Sequence, residues 1–229
     1  MRLNRRDMLR AGLLLLVLLL VVPVGAGAQA LVELVGPTAQ IPRDGYRTWT
    51  LFLVCNPAWV APEQSGALRN LYRRFKIFGD AIGKDNLAVW FWTRRTTIDD
   101  PRLAENVDVA RSAEFCRRLT LRPTAGPFLV ITSAYPDLEA FPRDRTVFEL
   151  GGLPPEELAS LLNRLTDELL LEGKAEAARR SSASGAPDSP IWMRLLEGAQ
   201  RSLIGFGCGV VVKVDTGMLS AELRACPGQ

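Results

Sequence analysis

Four cysteines and no histidine bound the chemistry open to this 229-residue chain. Without an imidazole there is no Ser-His-Asp or Cys-His nucleophile, no histidine-held zinc or haem, and no histidine general base. Thiol chemistry remains. Cys55 opens the loop Cys55-Asn56-Pro57-Ala58-Trp59-Val60-Ala61-Pro62, directly after an apolar run. Two readings of it stand: a single reactive or peroxidatic thiol acting as the catalytic residue, or a small hydrophobe buried at a strand end. Cys116 shares a helical face with Val109, Ala113 and Leu119, which predicts a buried thiol. Cys208 and Cys226 flank a hairpin signal. With Asp215-Thr216-Gly217 as its loop, 214 pairs with 218 and 208 with 224, leaving Cys226 on the same face two residues away. In an oxidising compartment that placement predicts a Cys208–Cys226 disulfide, with Cys55 and Cys116 left as thiols. The rival pairing, Cys55 with Cys116, would tie a strand end to a helix interior and ranks lower, because the expected fold gives those two side chains no reason to meet.

Other chemistry is thin. Trp49, Trp59, Trp90, Phe91 and Trp92 form an aromatic set, but strand alternation puts Trp90 and Trp92 on one face, where core packing is the default. Trp59, in a loop between Pro57 and Pro62, is the candidate ligand contact. The acids Asp99, Asp100, Glu105 and Asp108 match no metal-loop spacing and suit a helix N-terminus. No glycine-rich phosphate loop, GxSxG elbow or zinc spacing occurs, so no cofactor and no metal are expected.

The elements that must position these residues follow from periodicity. Thr48 to Val54, Leu87 to Thr93, Phe128 to Thr132 and Thr146 to Leu150 are apolar, β-branched or aromatic runs and read as strands. Leu68, Leu71, Tyr72, Phe75, Phe78 and Ile82 recur at three and four residues and predict a long amphipathic helix. A second helix carries Cys116. A third starts at Pro154-Pro155-Glu156-Glu157 and bears a stripe of Leu158, Leu161, Leu162, Leu165 and Leu169 up to Gly173. Residues 31–47 read as a lead-in with one short edge strand. Residues 174–188 read as a linker, and 189–229 as an appendage of one helix and a hairpin.

The order strand, helix, strand, helix, strand, strand, helix over about Thr48 to Glu172 resembles the thioredoxin fold. Ala125-Gly126-Pro127-Phe128-Leu129-Val130 resembles that family's proline before an apolar strand, normally cis. Phe148-Glu149-Leu150-Gly151-Gly152-Leu153 resembles its last strand and glycine turn. The resemblance implies an α/β fold, a thioredoxin-like mixed sheet flanked by helices in residues 31–173, and marks Pro127 beside the Cys55 turn as a binding position. It does not carry over the family's dithiol chemistry, because Ala58 stands where the partner of a Cys-x-x-Cys pair is needed.

Export is legible in residues 1–30. Arg2, Arg5, Arg6 and Arg10 precede an unbroken apolar run from Ala11 to Val22, and Gly25-Ala26-Gly27-Ala28-Gln29-Ala30 closes it with cleavage signals after Ala28 or Ala30. Asn4-Arg5-Arg6-Asp7-Met8-Leu9-Arg10 resembles a twin-arginine signal. An ordinary secretory signal and a retained membrane tether through residues 11–28 are the other two readings. All three place the body outside the cytoplasm, in the periplasm or cell envelope. The leader takes four of the 28 bases and one of the 25 acids, leaving 24 of each. A neutral body has no cationic surplus for nucleic acid. These features together predict an exported, non-redox thioredoxin-like binding or scaffold protein of the cell envelope. Its expected partner is an envelope protein or a second copy of itself. The alternative is a one-cysteine thiol oxidoreductase or peroxidase-like enzyme using Cys55.

Overall fold

Apolar runs with β-branched and aromatic residues become the strands of one sheet, and the two helical periods between them cover its faces. The computed structural model describes residues 31–82, 86–143, 145–151, 153–154, 156–167, 211–215 and 220–224. In chain order the elements are β1 (Leu31–Val35), β2 (Thr48–Leu53), α1 (Ser65–Ala81), β3 (Asn86–Trp92), α2 (Val109–Arg118), β4 (Phe128–Thr132) and β5 (Arg145–Glu149). A helix over residues 156–167, α3, follows, and then β6 (Val211–Asp215) and β7 (Ser220–Arg224).

Among the described residues the sheet runs β1-β3-β2-β4-β5-β6-β7. Its first three strands are parallel, and β2–β4, β4–β5, β5–β6 and β6–β7 are antiparallel pairs. The chain is thus α/β, with a mixed sheet flanked by helices.

The topology decides which helix covers which face. The β2–α1–β3 crossover joins parallel neighbours and must be right-handed, which sets α1 on one face. From β3 the chain returns over the opposite face through α2 to reach β4 on the far side of β2. Alternation then sorts the strand residues. Phe52, Val54, Trp90, Trp92, Leu129 and Phe148 face α1 and the leucines of α3. Leu51, Leu53, Val89, Phe91, Phe128 and Val147 face α2. Gly79 of α1 permits close approach to the sheet, because a Cβ there would stand 3.1 Å from the Cβ atoms of both Leu31 and Ala88.

The expected edge strand is β1, which pairs in parallel with β3. Leu158, Leu161, Leu162 and Leu165 are buried as their stripe predicts, while Leu169 lies outside the described residues. The hairpin differs in two respects. Its register sets Val214 opposite Ala221, not opposite 218, and leaves 216–219 between the strands, one residue more than a three-residue loop. It also extends the main sheet, because β6 pairs with β5 along Val211–Asp215. Cys208, Cys226, the linker and the helix expected from Ser189 lie outside the described residues.

Candidate functional site

The C-terminal end of β2 brings together three of the residues that the sequence singled out, Cys55, Cys116 and Pro127. Leu53 faces Phe128 in the antiparallel β2–β4 register, which brings the Cys55 end of β2 and the Pro127 end of β4 together. Gly126–Pro127 is cis, as the resemblance implied. The Leu150 N–H donates to the Pro127 carbonyl (2.9 Å) and the Gly151 N–H to the Ala125 carbonyl (3.0 Å), fastening the loop to the end of β5. Only glycine fits at 151, since a Cβ would fall 2.5 Å from the Gly126 carbonyl oxygen.

Cys55 is not a thiol. It forms a disulfide with Cys116 of α2, their Cα atoms 6.5 Å apart and 61 residues apart in sequence. The expectation that both cysteines stay reduced is therefore overturned. The physical reason is one of phase. Cys55 continues the alternation of Leu51 and Leu53, so it points toward α2, and the buried side of α2 is formed by Ser112, Phe115 and Cys116. The sequence reading set Ala113 on that face and missed Ser112 and Phe115. Both sulfurs are enclosed, with Cys55 3% and Cys116 0% exposed.

Trp59 lies elsewhere. Asn56 caps the short turn Pro57–Val60 by accepting from the Ala58 N–H (3.0 Å), and this turns Trp59 back against the α1-side core, half-buried. Trp59 and the Cys55–Cys116 bond thus belong to opposite faces of the sheet. Trp90 and Trp92 are core residues, stacked on one another 5.6 Å apart with Tyr72 edge-on to both. Two of the four acids, Asp108 and Asp100, are taken up by local structure. Asp108 caps α2 by accepting from the Arg111 N–H (2.9 Å). Asp100 accepts from the Arg102 N–H, Thr96 and Asn106, which hold its carboxyl below the usual aspartate range. Among the described residues no group of acids and cysteines is arranged to hold a metal ion.

Sequence reasoning passed over Glu149. It lies in phase with Val147 on the α2 side of β5, opposite Phe128, and is 7% exposed. Lys213 of β6 pairs with it, and through that ion pair the hairpin is tied to this end of the sheet. A glutamate interrupting an apolar strand was the available signal. Chemically, this end of the sheet offers a shielded disulfide, a closed proline loop and a compensated carboxylate, and among the described residues here no exposed nucleophile. Compared with known proteins, the chain matches no family model, no curated protein and no solved structure.

Proposed function

We propose that the chain is an exported, thioredoxin-like domain that works as a binding or scaffold module of the cell envelope and not as a redox enzyme. The element order, the cis Gly126–Pro127 bond before β4, and the placing of α1 and α3 opposite α2 support the thioredoxin-like reading. One observation carries the non-redox half. The cysteine at the turn where a redox pair would stand is bonded to Cys116 and almost wholly enclosed. Exchange requires a thiolate to reach a disulfide sulfur, and neither sulfur is accessible. The same bond weakens the one-cysteine alternative, which needs Cys55 as a free thiol. Disulfides of this kind persist in oxidising compartments, in keeping with the leader read from the sequence.

The bond also bears on the route of export. A twin-arginine route carries folded cargo, whereas a Cys55–Cys116 bond enclosed by the fold forms poorly in a reducing cytosol. The ordinary secretory route, with oxidation after crossing, fits better. Peptide mapping of the exported protein, with thiols blocked at harvest, should recover Cys55 linked to Cys116. The oxidised protein should give no turnover in a disulfide-reduction assay. Turnover abolished by Cys55→Ser would overturn the binding-module reading in favour of an enzyme. Replacing Arg5 and Arg6 by lysine should leave export of the bonded form intact.

A further inference from the structure

A cleft of about 770 Å³ opens along the outer edge of the sheet, between β1, α1 and the segment after β3. The Gly36 N–H donates inward to the Trp92 carbonyl (2.9 Å), which fixes the phase of β1. Backbone polar groups alternate sides along a strand, so Leu31, Glu33 and Val35 turn theirs away from β3, toward the outer edge. Those three residues line the cleft. Among the described residues β1 pairs with β3 and with no strand on its other side.

The cleft has a charge preference. Lys76 and Arg95 are outnumbered by Glu33, Asp80, Asp99 and Asp100. Lys76 already pairs with Asp80 (3.4 Å), and Asp100 is spent on its own loop. Glu33 makes no hydrogen bond or contact ion pair among the described residues. Burial pushes its pKa above the usual glutamate range, against the opposing pull of Lys76 and Arg95. An acid turned inward on an edge strand deters addition of an apolar strand, and the same acid admits a strand that brings a cation.

We propose that this edge binds an extended segment of a partner polypeptide as an added strand, with a lysine or arginine of that segment set against Glu33. Main-chain bonds to Leu31, Glu33 and Val35 supply affinity, and the carboxylate supplies selectivity. The site gives the binding-module reading a ligand class and rests on it.

The test uses the purified full chain and a peptide of about ten alternating threonines and valines with one central lysine, the length of a long strand. The lysine peptide should bind, and a central glutamate should weaken it by about tenfold or more. N-methylation of its edge-facing amides should abolish binding. Glu33→Gln should lose the preference for lysine, while Lys76→Glu, at an exposed position, should strengthen it. Equal binding of the two peptides overturns the proposal, as does no binding of either. Glu33→Gln chains that dimerise while wild type ignores the lysine peptide also overturn it, by showing that Glu33 only guards the edge against self-pairing. Failed peptide binding without reductase turnover removes this site alone, whereas turnover removes the binding-module reading itself.

Discussion

The two faces of the sheet are held by different means. On the α1 face, a 17-residue helix buries Leu68, Leu71, Tyr72, Phe75 and Phe78 against Phe52, Trp90 and Trp92, and α3 adds four leucines. Phe52, Phe75 and Trp90 lie with ring centroids 4.4 to 5.5 Å apart, a geometry that adds to what their buried area contributes. On the α2 face, a 10-residue helix buries Ser112, Phe115 and Cys116. Loop residues Tyr135, Leu138 and Phe141 complete the cover that so short a helix leaves open, and the Cys55–Cys116 bond ties α2 to β2 covalently. Long-helix and aromatic packing secures one face, and a covalent tie supplements the packing of the other.

The largest effect expected from breaking this contrast is on the aromatic face. Phe75 is fully buried between Phe52, Phe78 and Trp90, so Phe75→Ala should cost roughly 3–5 kcal/mol in urea unfolding, with or without reductant. The covalent face comes next. Replacing Cys55 and Cys116 together by alanine should cost roughly 2–4 kcal/mol, because chain entropy for a loop of 61 residues sets an upper figure of about 4. The two losses should add to within about 0.5 kcal/mol, since the sheet separates the sites. A triple variant much more stable than the sum would show that the faces are not independent.

How far the sequence disclosed this arrangement depends on what each feature needs. The strands and helices were legible within a residue or two because a period of 2 or of 3.6 is local information, as at Phe128–Thr132 and in the Leu68-to-Ile82 stripe. The proline loop was legible from Gly126-Pro127 and its following apolar run. The Cys55–Cys116 bond was legible only as the lower-ranked pairing, because it depends on which face each helix covers, which crossover handedness and sheet order decide together. The phase of Cys55 with Leu51 and Leu53 held half of the answer. The other half required α2 to lie over that side, and its buried Ser112 blurred the stripe that would have shown it. The hairpin register slipped because Asp215-Thr216-Gly217 marks a turn without fixing its length, and Asp215 is the last paired residue of β6, opposite Ser220. Glu33 was passed over because an acid in a lead-in segment reads as exposed, and only the pairing of β1 with β3 turns it toward α1.

The faces also differ at the β1 edge, and this sharpens the comparison by the smallest effect. On the α2 side the edge is closed. Arg111 lies over the Phe91 ring, 4.4 Å from its centroid, and donates to the Gly36 and Ala39 carbonyls. On the α1 side Glu33 is left in a cleft, its pKa raised chiefly by burial. A carboxyl whose folded pKa is raised holds its proton longer in the folded state than in the unfolded chain. Its favourable contribution is complete below the ordinary glutamate value of 4.5 and disappears as pH rises through the folded pKa. Asp100 acts with the opposite sign. Its folded pKa is lowered, chiefly by the Arg102 N–H, so its contribution is present above 3.8 and is lost as pH falls through the folded value. Unfolding free energies measured between about pH 3 and 7 should therefore separate two variants. Relative to wild type, Glu33→Gln should gain stability as pH rises above 4.5, and Asp100→Asn should lose its disadvantage as pH falls below 3.8. Both differences should be small, because Glu33 is only half-buried and the Asp100 carboxyl is open to water. A Glu33→Gln difference that stays flat across this window would mean that Lys76 and Arg95 offset the burial of its carboxylate. The α1 side of the edge would then be as fully compensated as the side that Arg111 closes.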